Sequence, residues 1–146
     1  MMRLATRTLI VGVLLVAPAG AAAHDAGTPA ATLATFAGYW SGHTRGLQIT
    51  RTGHAQENVD DGCCHRVVNI QYELSDPRGV TSNATVRARV TAVRLYNKAI
   101  YWKNRSRRPR VGQVARLHLK NHVITDPITD QIFCGLRARP IGRCGA

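Results

Sequence analysis

The cysteines are the side chains of this sequence with the widest choice of chemistry. The stretch GCCH at 62–65 places Cys63 and Cys64 side by side, and Cys134 and Cys144 follow much later. Redox centres usually separate their cysteines by two residues, as zinc sites do. Adjacent residues of a strand point to opposite faces, and a bond between neighbours would close a strained ring. We therefore expect no metal site and two structural disulfides, each joining one of the adjacent cysteines to one of the two later ones.

Acid–base chemistry has few candidates. A catalytic group must meet a partner in space, and the polar residues His43, Glu57, Asp60, Asp61 and His65 are close enough in the chain to do so. The sequence has no nucleophile elbow and no phosphate-cradling glycine loop. A lone histidine on a strand is more often structural, and paired aspartates often form turns. The enzymatic alternative is a hydrolase that uses His43 with Glu57 or Asp61.

Positive charge is concentrated in one half of the chain. The 146 residues carry 20 Lys and Arg against 8 Asp and Glu, a net charge of +12, and no acidic residue lies between Asp76 and Asp126. A field of this sign attracts polyanions, although it also promotes solubility. The stretch YNKAIYWKNRSRRPR at 96–110 interleaves aromatic rings with cations, a combination that suits polymers and interfaces. The candidate anion-binding residues are Lys98, Trp102, Lys103, Arg105, Arg107, Arg108 and Arg110, on a projecting loop.

The N-terminal residues predict export. Two arginines precede the apolar run at 9–17, and small residues follow Pro18, which is typical of a secretory signal peptide cut after Ala23. The run is too short to form a permanent transmembrane helix. Residues 24–35 are rich in Ala, Thr and Gly and are expected to form a flexible leader. Residues 36–146 then form a single domain, and an even number of cysteines suits disulfides outside the cell.

Alternating apolar residues predict a domain built of β-strands. Val68, Ile70, Tyr72 and Leu74 alternate with polar residues, and the segments at 84–92 and 115–120 repeat the pattern. We expect residues 36–50 to form one strand with a bulge at Gly46, and residues 76–79 to form a turn. No segment after the signal has a convincing helical period. The predicted fold is all-β, a single up-and-down barrel or sandwich of seven to eight strands.

The start of the first predicted strand resembles two groups of proteins. Gly38-x-Trp40 resembles the opening of the small barrels of the lipocalin and avidin kind. That resemblance implies that Trp40 closes one end of the barrel under an arginine, Arg137 or Arg139. A longer run from Gly38 to Ile49, with Gly53, Glu57 and the stretch at 61–64, resembles small exported actinobacterial proteins of unknown function. It implies export and a β fold, and supplies no catalytic residue.

Taken together, these patterns predict a secreted β module that binds or supports structure without enzymatic activity. The expected partner is an anionic polymer of the cell envelope or a lipid surface, with no specific nucleic acid, no transmembrane segment and no cofactor. The sequence leaves the oligomeric state and the ligand open.

Overall fold

The chain forms a closed antiparallel barrel of eight strands with two short helices, as seen in a computed structural model that describes residues 27–62, 65–103, 108–138 and Cys144. Each strand pairs with its neighbours in sequence, and β1 closes the barrel by pairing with β8 at Ser41 and Cys134. The predicted all-β fold is confirmed, and the barrel alternative is the one observed. The elements are α1 Leu33–Phe36, β1 Gly38–Gly42, β2 Arg45–Ile49, β3 His54–Asp60, β4 Arg66–Val80, β5 Asn83–Leu95, α2 Lys98–Lys103, β6 Val114–Lys120, β7 Val123–Asp126 and β8 Gln131–Cys134.

The alternation seen in the sequence sets which side chains fill the barrel. Inward positions of β4 to β6 carry apolar residues that are almost fully buried, whereas the residues between them are largely exposed. Burying this apolar surface is the main driving force for closure. The small alanines of β5 suit a tightly curved wall, since little interior volume is available there. The largest fully buried side chains include Phe36, Phe133, Leu47, Ile70, Leu117 and Ile124.

The two helices lie at opposite ends of the barrel. Helix α1 precedes β1, its Phe36 is fully buried, and the Phe36 carbonyl accepts a hydrogen bond of 2.9 Å from Trp40 Nε1. Ala30 pairs with Val80, so packed residues extend N-terminal to the domain boundary expected at residue 36. Helix α2 connects β5 to β6, and its Tyr101 is buried. We call the end that carries α2 the α2 end. Neither described helix is long and apolar enough to cross a membrane.

Two local predictions about the strands are wrong. Residues 36–50 do not form one bent strand, because Thr44 adopts a φ of 55° and turns β1 back into β2. Residues 76–79 do not end a strand either. There the register shifts between Ser75 and Arg78, so the left-handed Asp76 is absorbed in a bulge. The left-handed Gly79 pairs with Ala84, and β4 continues to Val80.

The predicted cross-pairing of the cysteines is also wrong. Cys134 forms a disulfide with Cys144, with 5.8 Å between their Cα atoms, so neither is left for Cys63 or Cys64. β8 ends at Cys134, and Cys144 is only ten residues further on, so the bond ties the C-terminal tail back to the last strand. Cys63 and Cys64 lie outside the described residues.

Candidate functional site

Two carboxyl groups are buried inside the barrel and share one tyrosine hydroxyl. Glu57 projects inward from β3, and Asp126 ends β7 near the α2 end. Tyr72 Oη on β4 lies 2.8 Å from Glu57 Oε2 and 3.1 Å from Asp126 Oδ2. All three side chains are almost completely buried. Burying a carboxyl group costs free energy unless the group is hydrogen-bonded or neutral. The stability of this cluster therefore depends on which of its oxygens carry protons.

The hydroxyl geometry suits a single carboxyl proton. A tyrosine hydroxyl has a single hydrogen, so it can donate to only one of the two carboxyl groups. The contact between the tyrosine oxygen and the second carboxyl group is a hydrogen bond only if that carboxyl group is protonated and donates. The pKa of Glu57 is raised to about 7, mainly by burial and also by the nearby Asp126 charge, whereas Arg45 and the hydrogen bond from Tyr72 oppose the rise. Burial also raises the pKa of Asp126. The two carboxyl groups therefore keep a proton to a higher pH than an exposed pair would.

Arg45 and two further hydrogen bonds to Asp126 complete the network. Arg45 Nη1 donates to Glu57 Oε1 at 2.8 Å, and its side chain is 11% exposed. Asp126 accepts bonds from the Ile128 backbone N–H at 2.7 Å and from Thr129 Oγ1 at 2.9 Å. With one shared proton, the positive arginine and the single remaining negative charge cancel. The network can store and release one proton inside a neutral interior.

A groove at the α2 end leads toward this network. It has a volume of about 200 Å³, and its lining includes His43, Arg45, Asp61, Ile100 and Tyr101. The β1–β2 turn and the start of the β3–β4 connection form one wall, and helix α2 forms the other. Arg45 thus belongs to both the groove and the buried network, which makes it the link between the surface and the shared proton.

The residues of the hydrolase alternative are brought to one end of the barrel but are not assembled as a pair. His43 and Asp61 line the same groove. However, Asp61 Oδ2 lies 3.2 Å from His65 Nδ1, and Asp60 pairs with Arg66 at 2.9 Å. Glu57 has no exposed surface and is bonded to Arg45, so it faces the interior rather than the groove. In the described part of the chain, no three His, Cys, Asp or Glu side chains are grouped as metal ligands would be.

The expected anion-binding loop is partly a packed helix. Lys98 to Lys103 form α2, and its Tyr101 is buried, so this part does not project as an open loop. Lys98, Arg108 and Arg110 are exposed. Arg105 and Arg107 lie outside the described residues, as do the side chains of Trp102 and Lys103. Whether the whole set binds anions stays a prediction.

Trp40 is buried at the end of the barrel opposite α2. A Cβ atom on Gly135 would lie 3.0 Å from its ring, so Gly135 packs directly against the indole. Arg137 is exposed, and Arg139 lies outside the described residues. The closure of the barrel by Trp40 under Arg137 stays a prediction, and the packing seen on Trp40 comes from Gly135.

The strand register gathers a set of cations that the sequence analysis left unassigned. Arg87 lies directly opposite Arg116, Arg89 follows on the same face of β5, and Lys120 ends β6. We call these four residues the cationic face. Asp76 bonds both Arg78 and Arg116, and the bond from Arg78 is the main reason that the pKa of Asp76 is lowered. Within the described residues, Arg87, Arg89 and Lys120 have no carboxylate at ion-pair distance.

Sequence reasoning also missed the buried network, although a signal was present. Glu57 occupies an inward position between Ala55 and Val59 on β3. On β2, Arg45 is two residues before Leu47 and therefore points inward as Leu47 does. A charged residue at a strand position that otherwise carries apolar, inward-facing residues indicates a buried partner. The identity of that partner depends on the closure of the barrel, because Asp126 is far away in the sequence.

Comparisons with protein-family models, curated proteins and solved structures found no match. The fold and the site together define an eight-stranded up-and-down β-barrel with two buried carboxyl groups that share one tyrosine hydroxyl, and with a largely exposed cationic face.

Proposed function

We propose that this protein is an exported, non-enzymatic β-barrel that binds an anionic polymer of the cell envelope through its cationic face. The observation that carries the proposal is the register that sets Arg87 opposite Arg116. Like charges directly opposite each other on a sheet destabilise the pair. In this pair Asp76 neutralises Arg116 alone, so Arg87 and the neighbouring Arg89 are left without a bonded carboxylate in the described part of the chain. A bound polyanion would supply the missing negative charges, since its charges repeat along the polymer as the cations do along the strands.

The surroundings of the cationic face support a polymer rather than a small anion. Arg87 and Arg89 are two residues apart and therefore point outward on the same side of β5. Arg110 lies in the turn that leads into β6, and Gly112 of that turn bonds to the carbonyl of Val90. The positive surface therefore follows the strands as an open band. No enclosed pocket is needed for interactions of this kind, because they are mainly Coulombic.

The test compares two double variants that remove the same charge from different faces. Arg87→Gln with Arg89→Gln should elute from a polyphosphate or polycarboxylate gel at clearly lower salt than the parent. The salt dependence of binding should also become shallower, by roughly one unit of slope for each arginine that no longer neutralises a polymer charge. Arg51→Gln with Arg137→Gln, both exposed and neither on β5 or β6, is the matched control and should elute close to the parent.

Three results would overturn or redirect the proposal. Equal weakening in both double variants would mean that only the net charge matters. Weaker binding in an Arg108→Ser, Arg110→Ser variant alone would assign binding to the segment after α2. Retention on vesicles of anionic lipid without retention on either polymer gel would replace the polymer with a lipid surface.

The hydrolase remains the second candidate, because His43 and Asp61 share one groove. A hydrolytic activity found with a panel of ester, amide and glycoside substrates, and removed by His43→Ala, would favour the enzyme. The non-enzymatic proposal expects no such activity.

A further inference from the structure

The outer face of β2 to β4, away from the cationic face, carries a row of exposed amides. Gln48 on β2 lies opposite Gln56 on β3, and Gln56 lies opposite Gln71 on β4. All three side chains are exposed. We call them the amide row. Neighbouring strands are about 4.8 Å apart, so the row presents hydrogen-bonding groups at short and regular intervals. Each amide carries both donors and acceptors.

An exposed aromatic ring stands at one end of the amide row. Tyr39 on β1 lies opposite Gln48 and is 56% exposed. Its ring covers Gly46, where an added Cβ atom would come within 3.0 Å of two ring carbons. Gly46 thus lets the ring lie close against the sheet. Because the ring leans over Gly46, it lines a second groove, which Arg45 and Arg66 also line, next to the end of the amide row. Its exposed part offers an apolar surface beside the polar row.

The amide row borders a groove and is held by a second set of amides. The groove has a volume of about 390 Å³, and its lining includes all three glutamines with Thr50 and Thr91. This volume falls within the range of small-ligand sites, roughly 300–1,000 Å³. Hydrogen bonds orient part of the surface: Gln56 Nε2 donates to Asn58 Oδ1 at 3.1 Å, and Asn69 Nδ2 donates to the same oxygen at 2.7 Å.

The chemistry of this face selects one class of ligand. The three glutamines are uncharged. The nearby Arg66 is paired with Asp60, and Glu73 lies opposite Arg89, so the charge around the row is balanced and gives no basis for holding a polyanion. The cationic face lies on β5 and β6. A protein partner would be expected to meet an apolar core, which this face lacks. A neutral polysaccharide has hydroxyl groups that donate and accept, and its sugar rings have C–H faces that pack on an aromatic ring. Both features find a complement here.

We propose that Tyr39 and the amide row form a binding site for a neutral, extended β-linked polysaccharide. The tyrosine ring stacks on one sugar, and the glutamines hydrogen-bond the hydroxyl or acetamido groups of the sugars that follow. The site lies on another face from the proposed polyanion surface and does not depend on it. A protein that uses both faces would connect a neutral and an anionic polymer of the envelope.

The experiment measures binding of the exported protein to cellohexaose and chitohexaose by calorimetry, with pull-down on insoluble cellulose and chitin. Binding to one of these probes is expected, and it should persist at ~1 M salt, where charge interactions are screened within about 3 Å. Tyr39→Ala, and separately a triple Gln→Ala variant of the amide row, should each weaken binding by at least about tenfold, the effect of removing one well-formed interaction. Tyr39→Phe keeps the ring and should bind like the parent.

The variant Arg87→Gln with Arg89→Gln serves as the control from the other face and should bind the sugars unchanged. Near-ultraviolet circular dichroism verifies that each variant is folded, which is expected because the changed side chains are exposed. No binding to any of the four probes by the folded parent would overturn the inference. Binding that disappears at high salt, or that survives both Tyr39→Ala and the triple variant, would overturn it as well.

Discussion

Replacing Glu57 with Gln should remove most of the pH dependence of stability that the barrel interior creates. The glutamine is nearly the same size as a protonated glutamic acid and can keep both hydrogen bonds. Its carbonyl can accept from Arg45, and its amide can donate to Tyr72. It cannot lose a proton, so the variant holds the network permanently in the protonated arrangement.

The expected size follows from the pKa of Glu57. Its pKa rises from 4.5 to about 7 on burial, so between these values the folded chain keeps a proton that the unfolded chain has released. The contribution of this proton to the free energy of unfolding is therefore complete below pH 4.5 and is lost as the pH rises toward 7. At 1.36 kcal/mol per pH unit, this gap corresponds to a fall of roughly 3 kcal/mol in the free energy of unfolding. Asp126, whose pKa is also raised, acts in the same direction.

The assay is urea unfolding at several pH values from 4.5 to 7, followed by circular dichroism with disulfides intact. The parent should lose stability across this window, and Glu57→Gln should lose much less, so that the variant is the more stable protein near pH 7. Any residual slope should disappear when Asp126→Asn is added. Glu73→Gln, an exposed glutamate on β4, is the control and should keep the parent's slope. A parent that gains stability across the window, or a Glu57→Gln variant with the parent's slope, would refute the proton-sharing network.

Two further outcomes are expected. Tyr72→Phe should lower the free energy of unfolding by roughly 2–3 kcal/mol above pH 7, because the buried ionised carboxyl group that accepts the Tyr72 hydrogen bond would lose its donor. A urea-unfolding decrease below about 0.5 kcal/mol, the size of an ordinary surface change, would contradict this. A non-reducing peptide map of the oxidised protein should link Cys134 to Cys144. The double Ser variant should be destabilised by about 3 kcal/mol or less, because the closed loop is short. A peptide joining either cysteine to the 63–64 region would contradict the observed pairing.

The strands themselves could be predicted from the sequence because alternation is a local property. Each inward residue of β4 or β6 is separated from the next by one outward residue, so the half-buried pattern is visible without knowing any partner. Turns and bulges were less predictable. The left-handed turn at Thr44 and the bulge between Ser75 and Arg78 depend on how two strands pair, and that pairing is not visible in the sequence.

The candidate sites show the same division between local and long-range information. The exposed arginines of β5 could be seen as a face of one strand, but their opposition to Arg116 comes from the register with β6. The amide row likewise needs three strands in register before Gln48, Gln56 and Gln71 become neighbours. The helix α2 was missed because six residues contain too few turns for a helical period to be visible.

By itself, the sequence determined an all-β domain, because alternation between apolar and polar residues is imposed residue by residue on a half-buried strand. The tertiary structure decided everything that joins distant positions. Closure of β8 on β1 made the sheet a barrel. The disulfide observed is the short one between Cys134 and Cys144, in place of the longer pairings expected from an even number of cysteines in an exported chain. Barrel closure also brought Asp126 to Tyr72 and Glu57. A shared proton needs three oxygens within hydrogen-bond distance, and only a folded chain can bring together residues so far apart in sequence.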